Sequence, residues 1–374
     1  MIQIWILMII TLVLAYLYEH AYIATPDRSL SRQKISVIFI ILTILMGGFL
    51  GLRTSYNDTF TYIHTYKIMK TIPEFWNSFN SSLSADPGFN ICNAIMKTMG
   101  INTQNWLMIY ALITIALYMS FIRKNHNQLV FNLYLFFCIG GYTFAGAAIK
   151  QSMATAICFF ALEFAFEKKW IRYFIFVFIA MTFHVYAVVF LFVPFLMFKP
   201  WTRKTGIMLV ATVLIGLLLP NILGTITSIT SSIGESYTVG EFSGAGVNIF
   251  RVLVCNIPFI LGFLFRNSLF EESSERENLM FNLSMINGFI MFIGLFGTAN
   301  YFARLANYFV LAQAITIPWI INKLPGKNRK ILKFGAIIGY LLFFYYSTNI
   351  VYGRFSDLFH RLTVGQYLLQ LFQR

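Results

Sequence analysis

The sequence predicts an all-α, polytopic integral membrane protein: about ten transmembrane helices plus a re-entrant or short helical hairpin. Three observations carry that expectation. Of 374 residues, 58% are hydrophobic and 18% aromatic, while only 11% are charged, too few to cover a soluble surface. Mean hydropathy is +0.70. Apolar runs of about 17–20 residues recur, the length demanded by a hydrocarbon core roughly 30 Å thick. Backbone groups in such a core must be satisfied internally, and these runs are apolar on every face, so they are helices and not barrel strands. The formal charge of +14 reads as cytoplasmic lysines and arginines that set topology, with no nucleic-acid partner.

Taken in order, the first span covers about residues 4–19. It has no basic leader and no small-residue cleavage site, so a helix that stays attached is expected. Further spans fall at about 35–52, 105–122, 128–145, 149–166, 206–222, 249–265, 279–296, 307–322 and 333–350. Basic residues mark one side of them: Arg28, Arg32 and Lys34; Arg123 and Lys124; Lys168–Arg172; Lys199–Lys204; Arg266 and Arg276; and Lys323–Lys333. The positive-inside bias puts these in the cytoplasm and both termini outside. That assignment requires residues 171–198 to enter and leave on one face. Each half of this segment is about 12–14 residues, or roughly 20 Å of helix, short for a crossing. A hairpin turning at Phe183-His184 satisfies both length and charge.

The chain reads as a single membrane domain over residues 1–374 with two outward loops, 53–104 and 223–248. In the first, Tyr62, Tyr66 and Met69 set against Asp58, Thr61 and Lys67 suggest an amphipathic surface helix, ended by Pro73. Pro87 starts a second helix through Phe89, Ile91, Ile95 and Met99. The second loop is rich in Ser, Thr and Gly, carries Glu235 and Glu241, and reads as mobile. The acidic patch Glu271–Glu277 reads as a solvated cytoplasmic turn. Cys138, Cys158 and Cys255 are small apolar packing residues and Cys92 sits in the loop; no two have metal-site spacing.

Ionisable groups at membrane depth are costly, about 2.5–3.5 kcal/mol each on insertion scales, so they mark candidate sites. Four cations fall near the outer interface: Arg53, Lys150, Arg251 and Arg304. Each alone is most simply a snorkelling side chain. Together at one depth they would form a phosphate or pyrophosphate site, with arginine donating bidentate hydrogen bonds. Candidate bases are Asp58, one helical turn before Tyr62; Asp86, before the Pro-Gly turn; and His184 at the hairpin tip. The plain alternatives are helix caps or surface ion pairs for the acids and a packing role for the histidine. No nucleotide-binding glycine loop and no metal cluster are present in the sequence, so no cofactor is expected.

Gly51-Leu52-Arg53, Asn57-Asp58-Thr59 with Tyr62, and Asp86-Pro87-Gly88-Phe89 together resemble the N-terminal signature of the EpsG family of Wzy-like bacterial surface-polysaccharide polymerases. Asp86 stands where that family typically has Glu. Lys150-Gln151, Phe183-His184 and Arg304 with Tyr308 resemble its later motifs, so the likeness spans about residues 50 to 310. The resemblance implies a glycosyltransferase at the outer leaflet of the bacterial cytoplasmic membrane. It would move a growing glycan from undecaprenyl pyrophosphate to a hydroxyl of the next lipid-linked repeat unit. On that reading Arg53, Arg251 and Arg304, with Lys150 in support, bind pyrophosphate; Asp58 or His184 accepts the proton; Tyr62 and Tyr308 contact sugars; and Gln151 and Asp86 assist binding. Partners would be undecaprenyl-pyrophosphate-linked oligosaccharides and membrane lipids, with a chain-length regulator and a flippase as protein partners. A flippase, a glycan ligase of the same leaflet and a non-catalytic scaffold are the competing classes.

Overall fold

A computed structural model describes residues 2–23, 37–77, 86–125, 128–232, 246–297, 299–351 and 359–372. They are overwhelmingly helical. Among the described residues, four helices are long and apolar enough to cross a membrane: α1 (Ile2–Ile23, of which Ile2–His20 qualifies), α6 (Thr103–Asn125), α9 (Ile149–Phe166) and α18 (Gly326–Tyr345, continuing to Ile350). Two bent pairs raise the count to six if each is one span: α7 with α8 (Leu129–Cys138, Gly141–Ala147; 54°) and α16 with α17 (Ala299–Asn307, Val310–Lys323; 57° from Tyr301).

The expected ten spans are thus not all realised as single helices, for local reasons. The run at 128–145 breaks at Gly140, whose φ of +87° is a left-handed conformation open to glycine. The run at 249–265 is interrupted at Asn256 between α12 (Ile249–Cys255) and α13 (Ile257–Leu264). α2 (Val37–Gly51) has 15 residues, about 22 Å of helix. α15 (Glu275–Ile293) spends its first turn on charge, with Glu275 and Glu277 beside Arg276. Hydropathy registers apolar content and is blind to such breaks.

Helix α9 is the hub, buried over 78% of its apolar window. It packs against α6, α10 (Trp170–Phe183) and the 3-10 helix Val185–Leu196. The Tyr173 hydroxyl donates to the Phe190 carbonyl, folding α10 and the 3-10 helix onto each other about His184. Lys168 pairs with Glu275, and Lys199 donates to the Glu271 carbonyl, so both ends of the hairpin meet one turn of the chain. The acidic patch is solvated as expected, with Glu271, Glu272 and Glu275 exposed, and it also meets the hairpin ends through these surface contacts. Ser274 and Glu277 form a capping box on α15, and Glu277 also accepts from Trp319 Nε1 at 2.6 Å.

The basic clusters that are described gather at this same pole. Glu163 lies 3.8 Å from Lys124 and 3.5 Å from Arg276, and Lys323 lies 3.7 Å from Glu277. Arg28, Arg32 and Lys34 fall outside the described residues. The long N-terminal loop forms the opposite pole. Its first helix, α3 (Thr59–Ile68), ends short of Pro73, which instead occupies the first turn of α4 (Ile72–Asn77), where its missing N–H costs nothing. Tyr66 is buried, stacked on Trp106 at 4.8 Å, so α3 packs on α6, while Phe60 and Ile68 are the large hydrophobic side chains it exposes, beside Thr61, His64, Thr65 and Lys67. α5 (Pro87–Thr98) docks through Asn93, whose Oδ1 accepts from Trp106 Nε1 (2.8 Å) and the Tyr110 hydroxyl (2.9 Å).

Helix α11 (Arg203–Ser232) runs well past the expected loop start at 223; Glu235 and Glu241 lie outside the described residues. The C-terminal segment, to which the sequence assigned no element, returns to the loop pole. Strand β2 (His360–Arg361) pairs antiparallel with β1 (Arg53–Ser55), and α19 (Val364–Phe372) follows, its Tyr367 hydroxyl donating to Asn105 at 2.7 Å. All four cysteines are free.

Candidate active site

The site is built from the turn after α2. Arg53 is 1% exposed, its guanidinium donating to the Leu50 carbonyl at 2.6 Å and to Thr59 Oγ1 at 3.1 Å. Thr59 in turn donates to the Tyr56 carbonyl at 2.6 Å. Burial lowers the Arg53 pKa to about 10, with Tyr142 the leading opposing influence, so it stays charged at neutral pH. Between these anchors Asn57 takes a left-handed φ of 47°, which asparagine tolerates better than most residues. The result presents Asp58 at the pole surface. Its carboxylate lies 3.5 Å from the Arg304 guanidinium on α16. Gln151 Nε2 donates to the Arg304 carbonyl at 2.6 Å, tying α16 to the first turn of α9.

The Asp-Pro-Gly-Phe stretch has a structural reason at each position. Asp86, 5% exposed and left-handed at φ 59°, pairs with Lys150 through one oxygen; its other oxygen is buried with no hydrogen-bond partner among the described residues. It precedes α5 without capping it. Pro87 fills the first helical position. A Cβ on Gly88 would sit 2.1 Å from Thr182 Oγ1 and 2.7 Å from Thr182 Cβ, so only glycine lets α5 approach the hairpin this closely. Phe89 is buried against Tyr62, Trp106 and Tyr110. The motif therefore docks the loop onto the hairpin tip. Tyr62 packs between Asp58, Arg304 and Lys150, and burial, with Asp58 adding to it, holds its phenol protonated far above the usual range.

At the tip itself, His184 Nδ1 is 2.9 Å from the Tyr308 hydroxyl, and both are buried. Tyr308 is 0% exposed, so the expected contact with sugar is not what this geometry provides; its hydroxyl serves His184. Arg53 is likewise turned inward, and the expectation that its guanidinium faces an anion gives way to a role in holding the 56–59 turn. Gln151 and Asp86, both buried, support Arg304 and Lys150 from behind.

A cavity of about 450 Å³ opens at this pole. Of the residues expected from sequence, Asp58, Arg251 and Arg304 line it; Arg53, Lys150, Tyr62, His184 and Tyr308 are not among its lining residues. The lining includes apolar groups, Ile139 and Phe144 near the α7–α8 bend and Phe343 and Phe344 from α18. It also includes neutral polar groups: Asn57, which the sequence marked only as part of a motif, and Asn248, Asn307, Tyr346 and Ser347, which sequence reasoning missed. Tyr346 and Ser347 belong to a π-helical turn (Tyr346–Val351) that ends α18, a feature that often accompanies functional sites. Among the described residues no group of His, Cys, Asp and Glu has metal-binding geometry.

A sequence model of the EpsG family matches residues 36–359. The chain belongs to the EpsG family. The match takes in both pieces of the Asp58–Arg304 pair, the docking motif and the hairpin, and ends where β2 begins. Neither a curated protein nor a solved structure matches this EpsG-family chain. Family membership and the apolar helices together make it a membrane protein of polysaccharide biosynthesis.

Proposed function

We propose that this protein is a polysaccharide polymerase that joins undecaprenyl-pyrophosphate-linked repeat units at the outer leaflet of the bacterial cytoplasmic membrane. The observation that carries the reading is one cavity whose lining combines the charged groups Asp58, Arg251 and Arg304 with aromatic and aliphatic groups. That combination suits a substrate with an anionic, glycosylated head and a hydrocarbon tail.

The chemistry is a glycosyl transfer. The bond between the glycan anomeric carbon and the pyrophosphate oxygen breaks, and the acceptor hydroxyl oxygen bonds to that carbon. The acceptor proton goes to a base, and lipid pyrophosphate leaves with the electron pair. Arg304 and Arg251, which line the cavity, bind the pyrophosphate on this reading and offset the charge that develops on it. Asp58 is the base we favour, because it lines the cavity whereas His184 does not. Its pair with Arg304 leaves the two side chains 36% and 41% exposed, so it is worth about 0–1 kcal/mol. A pyrophosphate can therefore take Arg304 at small cost and leave Asp58 free to accept a proton.

The test is the length of surface glycan in a deletion strain complemented with wild type, Arg304→Ala or Asp58→Asn. Wild type should restore a ladder, and both variants should stop at a single repeat unit. Loss of all surface glycan in the deletion strain, with lipid-linked units held inside, would favour a flippase and overturn the reading.

A further inference from the structure

The neutral wall of the cavity points to where the sugar itself is recognised. Asn57, on the rim turn, Asn307, at the end of α16, and Ser347, in the π-helical turn, all line the cavity. Their side chains are committed to no hydrogen bond among the described residues. Two amides and a hydroxyl supply both donors and acceptors, the mixture that sugar hydroxyls require. Tyr346 is held beside them. Its phenol oxygen accepts from Asn248 Nδ2 at 3.0 Å, leaving its own O–H free to donate, and its ring meets Phe250 edge-on at 5.6 Å. Asn248 is fixed in turn, since its Oδ1 accepts from Phe250 N–H at 2.9 Å and caps α12.

These groups carry no charge, so they contribute nothing to anion binding of the kind Arg304 and Arg251 provide. A site that keeps polar side chains uncommitted, beside an aromatic ring held in place by a second residue, is arranged for a polyhydroxylated ligand. We propose that Asn57, Asn307, Ser347 and Tyr346 form a carbohydrate subsite that holds the sugar of the acceptor repeat unit beside Asp58 and selects which sugar is extended. The inference rests on the polymerase reading and adds to it the residues that determine specificity.

The experiment measures two affinities on purified full-length protein in nanodiscs. One probe is the repeat-unit oligosaccharide isolated from producing cells and freed of its lipid carrier. The other is farnesyl pyrophosphate, which has no sugar. Asn307→Ala and Tyr346→Phe should each weaken oligosaccharide binding by about three- to tenfold, the effect of one or two neutral hydrogen bonds. Binding of farnesyl pyrophosphate should be unchanged in both, which also shows that the variants fold. Arg304→Ala should lose the pyrophosphate probe and keep the oligosaccharide. Oligosaccharide affinity unchanged in Asn307→Ala and Tyr346→Phe, in a protein that restores long glycan in cells, overturns the subsite and leaves the polymerase reading standing. A wild-type protein that fails to restore long glycan overturns both.

Discussion

The pair of Lys150 and Asp86 allows a prediction with an asymmetry that only its geometry explains. The Asp86 side chain is 4% exposed and that of Lys150 is 28% exposed. Lys150→Met leaves a buried carboxylate with no counter-charge, and breaking a buried pair this way costs about 3–5 kcal/mol. Water reaches the lysine end, so the lower limit applies, about 3 kcal/mol. Asp86→Asn instead leaves a lysine that can turn to solvent, and asparagine accepts the left-handed backbone, so the loss should be about 1 kcal/mol. The double variant removes the stranded charge altogether. It should therefore be more stable than Lys150→Met alone, although it carries one substitution more. The measurement is the thermal unfolding midpoint of all four proteins in one detergent, treated as a double-mutant cycle. Losses that simply add, or Lys150→Met as stable as wild type, would refute the claim that the pair anchors the loop to α9.

Three further outcomes follow from the same contacts. Gly88→Ala should destabilise by about 1–3 kcal/mol, the cost of forcing a methyl into a packed contact, because its Cβ meets Thr182 at 2.1 Å; limited proteolysis of the 53–104 loop should report the loosening. Tyr308→Phe should cost about 1–3 kcal/mol by stranding the buried His184 ring nitrogen, with the affinity for farnesyl pyrophosphate unchanged, since Tyr308 is 0% exposed. Removing residues 360–374 should leave membrane insertion intact, judged by fractionation, and shorten the surface glycan, since β2 is the partner of the strand that carries Arg53.

Composition made the class legible because hydrocarbon imposes one requirement on every residue of a span, and apolar content reports it directly. Where helices break is a different matter. Gly140 interrupts one apolar run through its left-handed backbone, and Pro258, which has no N–H, follows the break at Asn256 in another; hydropathy registers neither. The ionisable site residues were found one by one because each is costly at its depth, yet their pairing was hidden. Asp86 meets Lys150 across 64 positions, and Gln151 meets the Arg304 carbonyl across 153. Depth along the chain also says nothing about facing, which is why Arg53 and Tyr308 were expected to meet substrate and instead point inward. Asn307 and Ser347 gave no signal at all, and Asn57 stood out only as part of the motif around Asp58. Neutral polar residues are cheap enough near an interface that only a cavity wall reveals their use.

The pairing of β1 with β2 joins residues 305 positions apart. Ribosomal synthesis runs in one direction, so the strand holding Arg53 waits, edge bare, until residues 360–361 have been made. Phe359, just before β2, meets the Tyr56 ring edge-on at 5.3 Å, and Tyr56 lines the cavity, so support for this part of the wall arrives late. A chain whose later helices insert the wrong way round never brings Phe359 and β2 to it. Arrangement of this kind makes the finished wall a report on the correct orientation of helices that are far apart in the chain.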